Sequence, residues 1–306
     1  MSVVADLNLL KQLREAVGAG LGDCKKALVE TNNNFDEAVN WLRKKGMASA
    51  AKKADRVASE GLVGINVQGN QGIVLELNSE TDFVAKNTNF QELLKKLLAV
   101  AINASSLEEL NALKLDGTTV AEKVAESSGI IGEKLELRRF QKVSVKNGVI
   151  ASYIHTSEVE NTGKTCVLLG VESDCSNKEI LLELGRKLCM QAAAMKPQYL
   201  KTTEVPASIL ENEKAIAREQ LLAQKKPEAV IEKILEGKVA KFYEDNVLLN
   251  QIFVMDSKKT ITDVVKEAEK TLNTKIVFTS LALFKLGEGV AKKEENFADE
   301  VAKMAK

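Results

Sequence analysis

The sequence predicts an α+β protein, and three observations carry that expectation. Apolar residues over positions 1–46 recur at helical spacing. From Val63 the period drops to two, the mark of a half-buried strand. Further along, the same order of hairpin followed by helix returns, which suggests two related halves. A chain of 306 residues has room for about two domains and a small extra module.

Along the chain, Leu9, Leu10, Leu13 and Val17 form the first helical stripe, broken by Gly18-Ala19-Gly20. Cys24, Ala27 and Leu28 form a second. Asn34 followed by Glu37 reads as an N-cap with its reciprocal partner, opening a third stripe of Phe35, Ala38, Val39 and Leu42, with Gly46 as the expected stop. Between Trp41 and Glu60 lie six bases and two acids, expected as a solvated helical linker or as a face for an acidic partner. Val63, Ile65 and Val67, a turn at 69–72, and 73–77 make a hairpin. A polar loop over 78–89 leads to a helix over 90–102. Lys146-Asn147-Gly148 is a strong hairpin-turn signal, with strands expected over 149–154 and 166–171 and a helix over 178–195. Two charged helices over 206–224 and 227–242 each open with Pro, where the missing N–H costs least, and read as a projecting antiparallel pair. A strand is expected over 276–284 and a short helix over 298–304.

The expected division is therefore a three-helix docking module over 1–46, a helical linker over 47–60, a first core part over 61–145, a second core part over 146–284 carrying a helical hairpin insertion at 202–245, and a C-terminal module over 285–306.

Composition removes several functions. Lys+Arg and Asp+Glu are both 43, so there is no electrostatic surplus for phosphate, and aromatics are only 4%, too few for base-stacking platforms. No nucleic-acid partner is expected. The single histidine, His155, excludes multi-His metal sites and catalytic His pairs. Cys24, Cys166, Cys175 and Cys189 contain no C-x-x-C pair and read as small buried hydrophobes in a reducing compartment. The first 17 residues lack a signal-peptide pattern, and no apolar run approaches ~18 residues, so a cytoplasmic protein with no membrane partner is expected.

Tempting motifs fail on spacing. Gly163-Lys164-Thr165 has Glu158 where a phosphate loop needs its first glycine, and Gly287-Glu288-Gly289 has Lys292 where a dinucleotide loop needs its third. His155 has no serine elbow or partnered cysteine. Acid pairs are those any charged helix supplies. No catalytic residue, metal site or cofactor is expected.

The informative segment is Glu76-Leu77-Asn78-Ser79-Glu80-Thr81-Asp82-Phe83-Val84-Ala85-Lys86-Asn87, where a strand runs into a polar stretch holding a large aromatic beside an acid. Such a ring either anchors its own loop or serves a partner. This string resembles the signature of the bacterial elongation factor Ts family. So do Leu13-Arg14-Glu15 with Gly18-Ala19-Gly20-Leu21 and Asp23-Cys24-Lys25-Lys26-Ala27-Leu28, then Ile131-Gly132-Glu133 with Arg138-Arg139, Tyr153-Ile154-His155, Lys196-Pro197-Gln198-Tyr199-Leu200, and Phe253-Val254-Met255-Asp256. Departures from the family pattern fall at Val17, Gly22, Ile252 and the longer loop over 156–164.

The resemblance implies a ubiquitin-associated-like N-terminal module, a two-part α+β core and a helical hairpin. It also implies a non-enzymatic guanine nucleotide exchange factor whose partner is the GDP-bound GTPase elongation factor Tu. Thr81, Asp82, Phe83 and Val84 would form the intruding segment that disturbs the partner's Mg²⁺–phosphate network. Arg14, Leu21, Gly22, Ile131 and His155 would be further contacts. Self-association as a homodimer stays open. Two other classes are weighed beside it: a ubiquitin-associated-type interaction module on an unrelated α+β scaffold, and an α+β enzyme with a carboxylate site. Exposure of Phe83 in the free protein separates the first of these from the exchange factor.

Overall fold

The structure, a computed structural model, describes residues 3–290 apart from positions 158 and 225. The expected helix over 298–304, and with it most of the 285–306 module, lies outside the described residues.

Three helices open the chain: α1 (Leu7–Val17), α2 (Leu21–Glu30) and α3 (Phe35–Ala51). Asp6 caps α1 by accepting from the N–H groups of Asn8 and Leu9, and Gly18 ends it at φ +71°, a conformation a side chain would resist. Asn34 caps α3 through the Glu37 N–H. Leu10, Leu13, Cys24, Ala27, Leu28, Ala38 and Leu42 make a small core of their own. The expected stop at Gly46 is corrected, because α3 runs through it to Ala51. The glycine serves a helix crossing instead: α7 (below) lies so close that a Cβ on Gly46 would stand 3.3 Å from the Glu126 carbonyl oxygen. The basic stretch beyond is not a free linker. Arg43 pairs with Glu122, Lys53 is buried and reaches the Ser128 carbonyl oxygen, and Arg56 pairs with Glu80.

The core is one unit used twice. In the first half β1 (Glu60–Gln68) and β2 (Gln71–Ser79) form a hairpin. A single helical turn α4 (Asp82–Ala85), helix α5 (Thr88–Ala101), a short helix α6 (Leu107–Ala112) and a two-stranded ladder of β3 (Lys114–Leu115) and β4 (Thr118–Thr119) follow. Helix α7 (Val120–Ile131) and strand β5 (Glu136–Ser144) complete it. The second half repeats the plan. Strands β6 (Gly148–His155) and β8 (Thr165–Glu172) pair, with β7 (Thr162–Gly163) between them in sequence, and helix α8 (Lys178–Met195) follows. Helices α9 (Ala207–Ala223) and α10 (Glu228–Asn246) are inserted, then come the ladder β9 (Ile252–Phe253) with β10 (Asp256–Thr260), helix α11 (Ile261–Leu272) and strand β11 (Val277–Lys285). The three main strands take matching orders, β5-β2-β1 and β11-β8-β6. Helices α7 and α11 both begin with a capping box, Thr119–Glu122 and Thr260–Asp263.

The two sheets face each other through Val63, Val74, Val143, Ile150, Leu168 and Phe284. The outer face of the first sheet is covered by α5 and α7, that of the second by α8 and α11. The four layers explain why β2 is buried along almost its whole length, on both faces. The expected hairpin at Lys146-Asn147-Gly148 is corrected: β5 pairs with β2 and β6 with β8, so this segment carries the chain from one sheet to the other. Its local chemistry is turn-like, but Lys146 donates to Glu172, and the Ser173 N–H donates to the Asn147 carbonyl, both across the sheet junction. Glycine is required at 148 because a Cβ would lie 1.9 Å from the Val171 oxygen. The polar stretch over 78–89 is likewise not all loop, since it contains α4.

Candidate functional site

Strand β2 delivers the chain to a tip whose backbone is tied down on both sides of the aromatic ring. The Ser79 hydroxyl donates to the Thr81 carbonyl oxygen at 2.9 Å. The Thr81 N–H and hydroxyl both donate to the Glu133 carboxylate, at 2.9 and 2.6 Å. The Lys134 N–H donates to Glu80 at 2.6 Å, and Arg56 pairs with Glu80 at 3.2 Å. Downstream, the Asn87 N–H donates to the Val84 carbonyl oxygen, and Gln91 donates to that of Ala85. Between these anchors stands Phe83, 78% exposed, with Asp82 exposed beside it. Val84 and Ala85 point the other way, into the core with Leu77, Phe90 and Leu94. The ring is outside because its neighbours are committed inside: in a single helical turn, two buried residues leave the preceding pair to solvent.

Of the sequence-designated residues, Asp82 and Phe83 therefore form a presented surface, while Thr81 is half-buried with its hydroxyl turned to Glu133. Val84 is 7% exposed, which makes it an anchor of the tip rather than a surface group. Arg14 and Gly22 are exposed, and Leu21 is 56% exposed at the start of α2. The α1–α2 junction meets the start of α5, where a Cβ on Gly18 would touch the Asn89 side chain at 3.3 Å. A cleft of ≈160 Å³ here is lined by Glu15, Gly18, Asn89, Lys123 and Ile131. Ile131 is half-buried, two residues before the glutamate that grips Thr81. The tip, Ile131 and the α1–α2 junction thus lie along one side of the molecule. His155 is exposed at the end of β6, its Nδ1 3.2 Å from the Tyr153 hydroxyl, and the loop after it runs toward that side. That loop's Asn161 and Thr162 line a cavity of ≈290 Å³ with Thr88 and Gln91 of α5.

Sequence reading quoted Glu133 within Ile131-Gly132-Glu133 but gave it no role. The local signal is Gly132, which ends α7 at φ +91° and turns the chain back toward Thr81. Sequence reading also gave no role to Glu76, which is fully buried. It is paired with Arg138 and Arg139 and accepts the Gly287 N–H at 2.9 Å, tying β2 and β5 to the chain after β11.

Three of the four cysteines are poor nucleophiles. Burial pushes Cys166 up to about 12 and raises Cys24 and Cys189 too, so these thiols stay protonated at neutral pH. Among the described residues no three His, Cys, Asp or Glu side chains are grouped to hold a metal ion, and no helix is long and apolar enough to cross a membrane.

An aromatic presented on a pinned turn beside an acid offers a contact surface rather than a reactive centre. The family model described as Elongation factor TS matches residues 80–288, a span that starts at the tip and ends beside Gly287. The chain belongs to the elongation factor Ts family. Among its relatives is the elongation factor Ts of Bartonella bacilliformis, 46% identical over 300 residues, covering 97% of both chains. That of Rickettsia felis is 43% identical over 294 residues, covering 96% of this chain and 95% of the relative. That of Rickettsia typhi is 43% identical over 298 residues, covering 97% and 96%. This member of the family is a translation elongation factor with the family's α+β architecture.

Proposed function

We propose that this chain is a guanine nucleotide exchange factor that binds the GDP-bound form of elongation factor Tu and speeds GDP release. It does so without covalent chemistry, cofactor or metal of its own, in the cytoplasm, with neither nucleic acid nor membrane as partner. Family membership and the tip together support this reading, and the single observation that carries it is Phe83: a ring 78% exposed on backbone that is fixed on both sides. Fixing the backbone beforehand removes much of the ordering cost of inserting a side chain into a partner.

A GTPase holds GDP through backbone amides around the phosphates and a Mg²⁺ bridging protein and nucleotide. In the proposed mechanism Phe83 enters an apolar slot and displaces an element of that grip, while Asp82 disturbs the polar network around the partner's Mg²⁺. Burying a phenylalanine contributes about 1.5–3 kcal/mol. That corresponds to roughly 10- to 150-fold in an equilibrium constant. A larger loosening of GDP requires further contacts, for which Arg14, Leu21, Gly22, Ile131 and His155 are the proposed residues. Linkage makes the effect reciprocal: GDP weakens binding of the factor as much as the factor weakens GDP.

The test follows fluorescent GDP leaving the GTPase. The native chain accelerates the loss of signal, and Phe83→Ala slows it with folding intact. Asp82→Ala has its defect mainly when Mg²⁺ is present. Exchange by Phe83→Ala at the native rate removes the wedge, and an Asp82→Ala defect of equal size in excess chelator removes the metal-network role.

A further inference from the structure

We propose, on the reading that Phe83 is the intruding group, that Glu133 is a positioning residue for it, and that the turn after α7 rather than β2 decides where the ring stands. Two adjacent carboxylates make a crossed grip between the two segments. Glu133 accepts from both the N–H and the hydroxyl of Thr81, and Glu80 accepts from the N–H of Lys134. Both segments lie just beyond the paired ends of β2 and β5, where Asn78 opposes Glu136, so the grip takes over where the strand ladder stops.

The hydroxyl of Thr81 shows what the grip overrides. Thr81 is the N-cap residue of α4, a position where its side chain would ordinarily accept from its own helix. It makes no such bond, and its hydroxyl is turned to Glu133 at 2.6 Å instead. The helical turn carrying Phe83 thus takes its upstream fix from a residue 52 positions away. Glu133 is in turn held by α7: its carbonyl oxygen accepts from the Ser128 hydroxyl at 2.6 Å, and Gly132 supplies the reversal at φ +91°. Helix α7 packs on α3 of the N-terminal module, with a Cβ on Gly129 reaching within 2.3 Å of Gly46 Cα. Docking module, α7 turn and tip therefore form a continuous chain of rigid contacts, and Glu133 is its last link.

A carboxylate has only acceptor sites, so both Thr81 donors are satisfied at once. Glutamine keeps one oxygen for the Thr81 N–H, but toward the hydroxyl it presents an uncharged amide donor, so the hydroxyl has to turn and accept and the charge assistance is lost; alanine offers neither bond. Glu133→Ala, Glu133→Gln and the native chain are compared at saturating concentrations of the full-length factor against a GDP-loaded translational GTPase. Loss of a charge-assisted hydrogen bond lowers the saturating release rate about ten-fold for Glu133→Ala, with Glu133→Gln between it and native. The half-saturating concentration stays where it was, because the docking surfaces are untouched. Amide hydrogen exchange over 80–85 rises in the same order. Combining Glu133→Ala with Phe83→Ala gives no further loss beyond Phe83→Ala alone.

Four results overturn the proposal. Native exchange by Glu133→Ala, with Phe83→Ala still defective, refutes the positioning role and leaves the wedge standing. An added defect in the double variant places the action of Glu133 elsewhere. A shift confined to half-saturation makes Glu133 a docking contact. Native exchange by Phe83→Ala refutes the wedge itself and the positioning with it. Should Glu133→Ala fail to fold, Thr81→Val removes the hydroxyl donor alone, and the same readouts apply.

Discussion

The crossing of α3 and α7 brings helix backbones of the N-terminal module and the core into close approach, and it makes a sharp quantitative test. An ideal Cβ on Gly129 would stand 2.3 Å from Gly46 Cα, 2.7 Å from its carbonyl oxygen and 2.8 Å from its carbonyl carbon. All three are backbone atoms that no rotamer change can move. Carbon atoms settle at about 3.5–4.0 Å, so Gly129→Ala has to force the helices apart by more than about 1 Å. Overpacking of this kind costs about 1–3 kcal/mol, and immovable backbone puts it at the upper end. Alanine returns about 1 kcal/mol of helix propensity. The net is a loss of about 2 kcal/mol. Gly237 in α10 is the internal control, since a Cβ there meets nothing within 4 Å. Gly237→Ala keeps the propensity gain and is stabilising by about 1 kcal/mol. Urea titration followed by far-UV ellipticity and by the fluorescence of Trp41, the single tryptophan, which lies on α3, separates the two regions. Gly129→Ala lowers both midpoints, the Trp41 transition most. A Gly129→Ala midpoint equal to or above native would refute the close crossing and with it the rigid link from the N-terminal module to the tip.

Three further outcomes follow from burial. Phe83→Ala changes unfolding stability by less than about 0.5 kcal/mol, whereas Val84→Ala costs about 2 kcal/mol because that side chain is packed with Phe90 and Leu94; equal losses in urea titration would mean the tip is folded differently. Glu76→Ala strands Arg138 and Arg139 and costs about 3 kcal/mol, reduced somewhat because both guanidinium groups touch solvent; a native-like midpoint would show that the cluster holds nothing. Cys166, raised by burial from 9.0 to about 12, leaves stability intact below pH 9 and erodes it from there toward pH 12, by up to about 1.4 kcal/mol per pH unit, as the unfolded thiol ionises first. Urea midpoints for Cys166→Ala between pH 8 and 10.5 fall less steeply than native, and parallel slopes would refute the burial.

Much of this architecture is legible in the residues because it depends on local periodicity. Leu10 and Leu13 and the stripe through Leu42 mark helices that form where expected, and α8 spans the residues its apolar period indicates. The Phe83 segment stood out for a local reason as well: a large apolar side chain in a polar stretch needs an explanation. Two local signals misled. Gly46 has the chemistry of a helix stop, yet it is consumed by a neighbouring helix that no local window contains. Lys146-Asn147-Gly148 has the chemistry of a hairpin, yet its flanking strands find better partners in two different sheets. Helices α7 and α11 escaped notice, although each opens with a capping box and α11 carries an apolar stripe through Ile261 and Val265.

By itself the chain determined most of its helices and strands, which side chains are apolar enough to leave water, and that a phenylalanine stands beside an aspartate in a polar stretch. Those properties are set within a few residues of each position. Only the tertiary structure decided that the ring faces solvent, that Val84 behind it does not, and that Glu133 and Glu80 hold the turn between them. Those outcomes depend on which distant segments arrive at the same place, and that is settled by packing two sheets and their covering helices into four layers.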